Sequence, residues 1–296
     1  MMTNLTILVL EMTLGCAVSA WEAPATEPAP PAKRIVAVGD LHADLPQALA
    51  VLQLAGVIDA EARWIGGDTT LVQTGDLTDR GPDSLEVIQL FDRLQLQAPA
   101  QGGQVISLLG NHETMNLLGD LRYVHPGDVA DFGSAEARAA AFSADGDLGR
   151  SLLARDAIAE VGGVIFVHGG VSASVARDAG STAAIAAQVR AALSGTGPTT
   201  ILGSEGPLWY RGHLQAPESI ACAELETVLG LLGAKRMVVG HTTQRSGAVA
   251  SRCGGRLLGI DTGISSHYGA QLSAVEIIDG DAVAIYPDKR FDLPDP

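Results

Sequence analysis

The sequence predicts an α/β sandwich in which two packed, mixed sheets are flanked by helices, with a small helical and loop insertion. Three observations carry that expectation. Apolar, β-rich runs of buried-strand length recur along the chain, helical patterns alternate with the earlier runs, and the last runs follow one another closely with no helix between them.

The earlier runs are Ile35-Val36-Ala37-Val38, Leu71-Val72-Gln73-Thr74, Val105-Ile106-Ser107-Leu108-Leu109, Val164-Ile165-Phe166-Val167 and Met237-Val238-Val239. Residues 45–57, 84–96, 173–193 and 222–233 carry helical patterns, and this alternation argues for parallel crossovers with the helices outside. Arg256-Leu257-Leu258-Gly259-Ile260, Gln271-Leu272-Ser273-Ala274-Val275-Glu276-Ile277 and Ala282-Val283-Ala284-Ile285-Tyr286 read as the closing strands. Residues 120–155 break the pattern, mixing Ala-rich pieces with Pro126-Gly127-Asp128 and Asp145-Gly146-Asp147. They read either as a surface excursion without function or as an insertion over the rim of a site. Their position directly after Asn111-His112 favours contact with substrate.

Each early run stops at a short polar motif: Gly39-Asp40-Leu41-His42, Gly75-Asp76-Leu77-Thr78-Asp79-Arg80-Gly81, Gly110-Asn111-His112-Glu113, His168-Gly169-Gly170 and Gly240-His241. The strands therefore deliver metal-type ligands to the rim of a sheet, and glycine beside each one permits a sharp turn and close approach. Any one of these motifs alone reads as an ordinary turn, and His168 alone reads as a satisfied buried histidine. The ordered set is what points to a metal-centred hydrolytic site.

The 296 residues, 47% hydrophobic and 18% charged, can bury a large core, and a catalytic domain over residues 34–288 fits the usual size range. A formal net charge of -15 argues against nucleic acid as the main partner. It does not exclude phosphate substrates, because carboxylates that hold cations make a locally positive pocket. Residues 1–20 resemble an export leader, with the apolar stretch Leu5-Thr6-Ile7-Leu8-Val9-Leu10 and the small-residue pattern Val18-Ser19-Ala20. The absence of a preceding basic residue, and Glu11 within the segment, count against a leader and leave a frayed terminus of a cytoplasmic protein as the alternative, but a periplasmic or secreted location is the expectation. A Pro-rich tether spans residues 21–33, residues 289–296 form a tail, and no segment is long and apolar enough to span a membrane. Cys222 and Cys253 could pair in an oxidising compartment or remain two buried thiols.

Two divalent cations about 3.5 to 4 Å apart can activate a bridging water and clamp phosphoryl oxygens. Such a pair needs a shared carboxylate. Asp76 is the best candidate, with Asp40 and His42 on one ion and Asn111, His168 and His241 on the other. Mixed oxygen and nitrogen ligands without thiolate suit manganese, iron or zinc; manganese is the foremost expectation.

GDLH, GDLTDRG, GNHE, HGG and GH, in this order and spacing, resemble the calcineurin-like metallophosphoesterases, and Asp79-Arg80-Gly81 with Asn111-His112-Glu113 looks like their phosphoprotein phosphatase branch. Gly206-Pro207-Leu208-Trp209-Tyr210-Arg211-Gly212 and Arg236-Met237-Val238-Val239-Gly240-His241-Thr242 are similar to the Shewanella-like protein phosphatases. The resemblance covers residues 35–285. It implies the metal ligands above, His112 as the acid that protonates the leaving oxygen, Asp79 as its orienting partner, and Arg80 and Arg211 as phosphate clamps. The chemistry agrees, since the leaving oxygen needs a positioned proton donor and arginine's fork suits phosphate. The bland alternatives are an ion-pairing Arg211 and a helix-capping Asp79. Ala43 stands where most relatives carry glycine. Tyr268 reads as an ordinary packed tyrosine before a site residue.

The expectation is thus a binuclear-metal phosphomonoesterase acting on phosphorylated protein at Ser/Thr, Tyr or both, with Trp209 or Tyr210 offering an aromatic wall. A diadenosine-tetraphosphate hydrolase is the competing enzyme reading. A binding module that keeps metals as a structural clasp is the third, and it is disfavoured because a clasp needs neither His112 nor Arg80.

Overall fold

The computed structural model describes residues 33–296, so the expected leader and nearly all of the Pro-rich tether lie outside the described residues. In chain order, β1 (Ile35–Val38), α1 (Leu45–Leu54), β2 (Thr70–Gln73), α2 (Ser84–Gln97) and β3 (Gln104–Ser107) form two parallel crossovers, and α3 (Asn111–Leu117) follows β3 directly. The excursion holds α4 (Pro126–Asp131), α5 (Ala135–Phe142) and α6 (Asp147–Leu153). Then come β4 (Ile158–Val161), β5 (Val164–Val167), α7 (Ala173–Ala179), α8 (Thr182–Leu193), α9 (Gly212–Gln215), α10 (Glu218–Leu232) and β6 (Arg236–Val239). The chain closes with β7 (Ala250–Arg252), β8 (Leu257–Gly259), β9 (Ala274–Ile278), β10 (Asp281–Ile285) and β11 (Arg290–Asp292).

One sheet has the order β11-β10-β9-β1-β2-β3 and the other β4-β5-β6-β8-β7. In each, three neighbouring strands run parallel: β1, β2 and β3 in the first, β5, β6 and β8 in the second. The remaining strands pair antiparallel at the edges. This is the expected two-sheet sandwich with helices outside.

Strand alternation sorts the side chains into layers. Ile35 and Ala37 of β1, Val164 and Phe166 of β5, and Val238 of β6 meet between the sheets. Val36 and Val38 point the other way, against Val51, Leu52, Val87 and Phe91 of α1 and α2. On the far face, Ile165, Val167, Met237 and Val239 pack on Leu225 and Val228 of α10. Strands buried on both faces read as continuous apolar runs rather than alternating ones, which is why they stand out in the sequence.

The helical pattern at residues 173–193 divides into two helices. Gly180, at φ +71°, closes α7, and the Ser181 side chain accepts from Ala184 N at 3.2 Å to start α8; local capping outweighs the alanine periodicity. Cys222 and Cys253 form a disulfide with Cα atoms 5.3 Å apart, joining α10 to the turn after β7. Closing a loop of 31 residues stabilises the fold by roughly 3 to 4 kcal/mol on the loop-entropy account.

Candidate metal centre and active site

The parallel strands of both sheets release their polar residues at the same edge. Asp40 and His42 follow β1, Asp76 follows β2, Asn111 opens α3 after β3, His168 follows β5 and His241 follows β6; each is 6% exposed or less. Asp76 and His241 adopt left-handed backbone, φ +59° and +62°, as do His42, Ala43, Asp79 and Arg80. Such conformations cost side-chain-bearing residues of order 1 kcal/mol or more and cluster at functional sites. Ala43, at φ +52° and fully buried, occupies a conformation that glycine adopts without this penalty.

Asp76 is the hub of the hydrogen bonding. Its carbonyl accepts from Leu41 N at 3.0 Å and His42 N at 2.9 Å, and its Oδ1 accepts from His112 N at 3.0 Å. Its own N–H donates to Glu113 at 2.8 Å. Glu113, completely buried, also accepts from Gly110 N at 2.7 Å and from Thr78 N and Oγ1 at 3.0 and 2.9 Å. The glutamate of the GNHE motif thus ties the β2 and β3 loops together.

Two donor groups share Asp76: His42, Asp76 and His112 form one, and Asp76, His168 and His241 the other, each within 4.8 Å. Asp40 Oδ2 lies 4.0 Å from His42 Nε2, and Asn111 Oδ1 lies 2.9 Å from His168 Nε2. Backbone carbonyls aim the rings, Thr78 O facing His42 Nδ1 at 3.3 Å and Thr74 O facing His168 Nδ1 at 2.9 Å. His241 Nε2 is buried with no hydrogen-bond partner. An orphaned imidazole nitrogen in a mixed oxygen and nitrogen donor set, with one carboxylate common to two groups, fits two divalent cations.

The electrostatics agree. Burial pushes His42 down to about 3 and His241 down to about 2, so both rings are neutral, the form that ligates metal. Burial and the neighbouring Asp261 and Asp76 carboxylates push Asp40 well above the usual range. Burial likewise raises Asp261 and Glu113. Asp76 is also pushed up by burial, but the imidazoles of His168 and His112 outweigh it and hold it well below the usual carboxylate range. Four buried carboxylates crowded in one place call for cations.

Asp40, His42, Asp76, Asn111, His241, His112, Arg80 and Arg211 all line one cleft of about 200 Å³, with Tyr123, Trp209, Thr243 and Tyr268. His168, fully buried, lies beneath it, and Asp79 lies behind His112. His112 Nδ1 meets Asp79 Oδ2 at 2.7 Å, and its Nε2 comes within 3.9 Å of Asp76 Oδ2. Burial lowers His112, but the Asp76 and Asp79 carboxylates prevail and raise it above its ordinary value. Asp79 therefore serves the ring, and its side chain does not cap α2.

Neither Arg80 nor Arg211 makes a carboxylate ion pair among the described residues. Arg211 Nη1 donates to the carbonyl of His241 at 2.8 Å. The Arg80 guanidinium lies over the Tyr123 ring at 3.9 Å, and the Arg80 backbone N–H donates to Tyr123 O at 3.0 Å. Trp209 faces the cleft edge-on to His241, with centroids 5.6 Å apart. Tyr210 is buried and its hydroxyl donates to Glu224 of α10, so it contributes no wall beside Trp209. Tyr268, expected as a packed tyrosine, lines the cleft with its ring 4.9 Å from that of His42.

The sequence profile of the calcineurin-like phosphoesterases matches residues 33–245 of this chain. The chain belongs to this family. An uncharacterized protein of Schizosaccharomyces pombe is 38% identical over 85% of this chain and 79% of its own length. The Shewanella-like protein phosphatase 2 of Arabidopsis thaliana is 31% identical over 79% and 72%. Among solved structures, the cold-active protein tyrosine phosphatase of a psychrophilic Shewanella has a TM-score of 0.76 at 28% identity, covering 88% of this chain and 80% of its own. A Saccharomyces cerevisiae protein serine/threonine phosphatase, at 16% identity, 84% and 74% coverage and a TM-score of 0.59, shares the fold. As a calcineurin-like phosphoesterase the chain is a metal-dependent phosphatase, and its sandwich is that of the family.

Sequence reasoning missed Asp261, Tyr123, Asn116 and Arg138. Asp261 follows an apolar run as the ligands do, so that signal was present. Asn116 stands four residues after His112, one helical turn on. Tyr123 and Arg138 lie in the irregular stretch, where no periodicity marks them. The geometry generates a test at Gly240, where a Cβ would lie 2.3 Å from Asp40 Oδ1. Gly240→Ala is expected to displace that carboxylate and lower metal content, measured by elemental analysis. Gly230→Ala, in open space on α10, is the control expected to bind metal normally; wild-type metal content in Gly240→Ala would contradict the packing argument.

Proposed function

We propose that this phosphatase hydrolyses phosphorylated protein through two divalent cations sharing Asp76, and that it prefers phosphotyrosine. Asp40 and His42 complete one cation's ligands and Asn111, His168 and His241 the other's, with manganese the proposed metal. When bound, the cations supply Lewis acidity and an activated water nucleophile. The residues do the rest. Arg80 and Arg211 hold the phosphate by forked hydrogen bonds, and each guanidinium is free of carboxylates and already anchored, by Tyr123 and by the His241 carbonyl. His112, held by Asp79 at 2.7 Å, presents Nε2 to the cleft and gives its proton to the leaving oxygen.

The observation that carries the substrate reading is the aromatic rim. Tyr123, Trp209 and Tyr268 surround a small cleft whose floor is the donor set. A phenyl ring gains about 0.5 to 1.5 kcal/mol from such neighbours beyond its buried area. A serine side chain gains nothing comparable. The similar Shewanella enzyme is a protein tyrosine phosphatase, which supports the same reading.

A second proposal concerns location. The leader-like residues 1–20, together with the Cys222–Cys253 disulfide, support work in an oxidising compartment outside the cytoplasm. Among the described residues no helix is long and apolar enough to cross a membrane.

Three measurements test these readings. Asp76→Asn is expected to lose both metals, whereas His241→Ala chiefly weakens one; an Asp76→Asn protein with two metals and full turnover rules out the shared carboxylate. For matched peptides, kcat/KM is expected to favour phosphotyrosine by roughly 2- to 10-fold, the factor that 0.5 to 1.5 kcal/mol supplies, with Trp209→Ala narrowing the gap. A phosphoserine preference removes the aromatic argument, and preferred cleavage of diadenosine tetraphosphate overturns the protein phosphatase reading. Intact mass of the periplasmic protein, taken without reductant, is expected to begin at Trp21 with no free thiol at Cys222 or Cys253; an intact Met1 found only in cytosol contradicts export.

A further inference from the structure

The excursion between α3 and β4 places a buried arginine behind Asp79, with Nη2 3.7 Å from Asp79 Oδ1. Arg138 of α5 is 1% exposed, and its guanidinium sits 4.2 Å from the centroid of the Phe142 ring. Its Nε donates to Asp128 at 2.5 Å, and Asp128 is itself anchored by Ser84 N and Oγ at the start of α2, at 3.1 and 3.0 Å. Its Nη1 donates to Asn116 Oδ1 at 2.6 Å.

Asn116 passes that contact on. Its Nδ2 donates to Asp79 Oδ1 at 2.9 Å and to the carbonyl of His112 at 2.9 Å. Asp79 uses its other oxygen on His112 Nδ1. The direction of this chain is set by chemistry. A guanidinium only donates, so Arg138 must face the oxygen of the Asn116 amide, which turns the NH2 group onto Asp79. The flipped amide would put NH2 against the guanidinium and oxygen against the carboxylate, two repulsive contacts in a buried site. One orientation survives, and it holds Asp79 as an acceptor aimed at the ring.

We propose that Arg138 and Asn116 are positioning residues for the proton donor, acting through Asp79 to keep Nε2 of His112 pointed into the cleft. The proposal rests on the reading of His112 as that donor. Loss of either link lets Asp79 and the imidazole turn, and misplacement of a reacting group by about 1 Å costs on the order of 100-fold in rate. The loss falls on the step in which the Nε2–H bond breaks and an O–H bond forms on the leaving oxygen. It is therefore large for a basic leaving group and small for an acidic one.

The test uses the metal-loaded, full-length enzyme with phenyl phosphate and para-nitrophenyl phosphate, whose leaving groups differ in their need for a proton. Asn116→Asp keeps the side-chain volume and the acceptor for Arg138 but puts an oxygen against Asp79. It is expected to lower kcat about 10- to 100-fold on phenyl phosphate and only about 3-fold or less on para-nitrophenyl phosphate, with KM and metal content unchanged. Arg138→Lys keeps a cation for Asp128 but loses the fork that reaches Asn116 as well, and is expected to show the same pattern. Equal losses on both substrates in these variants, or no loss, overturn the positioning role. His112→Asn, run beside them, separates the two readings: if it too shows no dependence on leaving group, the donor assignment itself falls and the proposal with it. If His112→Asn shows the dependence and the other two do not, only the proposal falls.

Discussion

Keeping Asp76 buried, ionised and reachable from both sheets is the constraint on which the rest of the site depends. Its polar atoms are committed in every direction: the carbonyl to the β1 loop, the N–H to Glu113, a side-chain carboxylate oxygen to the first turn of α3. The left-handed φ of +59° is the conformation that makes these commitments compatible. The carboxylate is left facing three imidazoles, each coming from a different loop. Burial leaves His42 and His241 neutral against the pull of that carboxylate, and burial with mutual repulsion raises Asp40 and Asp261 beside it. A sandwich with fully buried layers on three levels supplies the rigidity needed to hold residues in costly conformations.

The excursion at residues 120–155 takes a larger part than a lid would. Tyr123 stacks on the Arg80 guanidinium and accepts the Arg80 backbone N–H, and Arg138 reaches through Asn116 to the Asp79 carboxylate that bonds His112. The excursion's helices are short, only α5 is alanine-rich, and its buried Arg138–Asp128 pair is joined to the start of α2 rather than to either sheet. Arg80 and His112, which both line the cleft, thus share one supporting element.

Most of the fold was legible because strands covered on both faces must be apolar throughout, as in Val164-Ile165-Phe166-Val167. The edge strands β4, β7 and β11 were not, since three or four residues with exposed or polar positions carry no periodic signal. The break between α7 and α8 was written in Gly180-Ser181, a stop followed by a cap, inside a misleadingly helical composition. The candidate ligands were legible because each ends an apolar run beside glycine. What could not be read was orientation: Trp209 and Tyr210 are neighbours of one chemical class, yet one faces the cleft and the other reaches Glu224. Arg138 was illegible for a related reason, as an isolated arginine in an alanine-rich stretch reads as solvated surface.

Asp40 and His241 are joined by the N–H of His241 donating to the carboxylate, across 201 positions of sequence. One partner sits at the end of the first strand of one sheet and the other at the end of the third strand of its neighbour. Such a contact carries a high closure entropy and forms only when both sheets have docked. A chain still emerging, or one cut before its last third, possesses the GDLH, GDLTDRG and GNHE loops but nothing to complete them. The Asp40–His241 contact is therefore a mark of finished tertiary structure, present only in a chain whose two sheets have met.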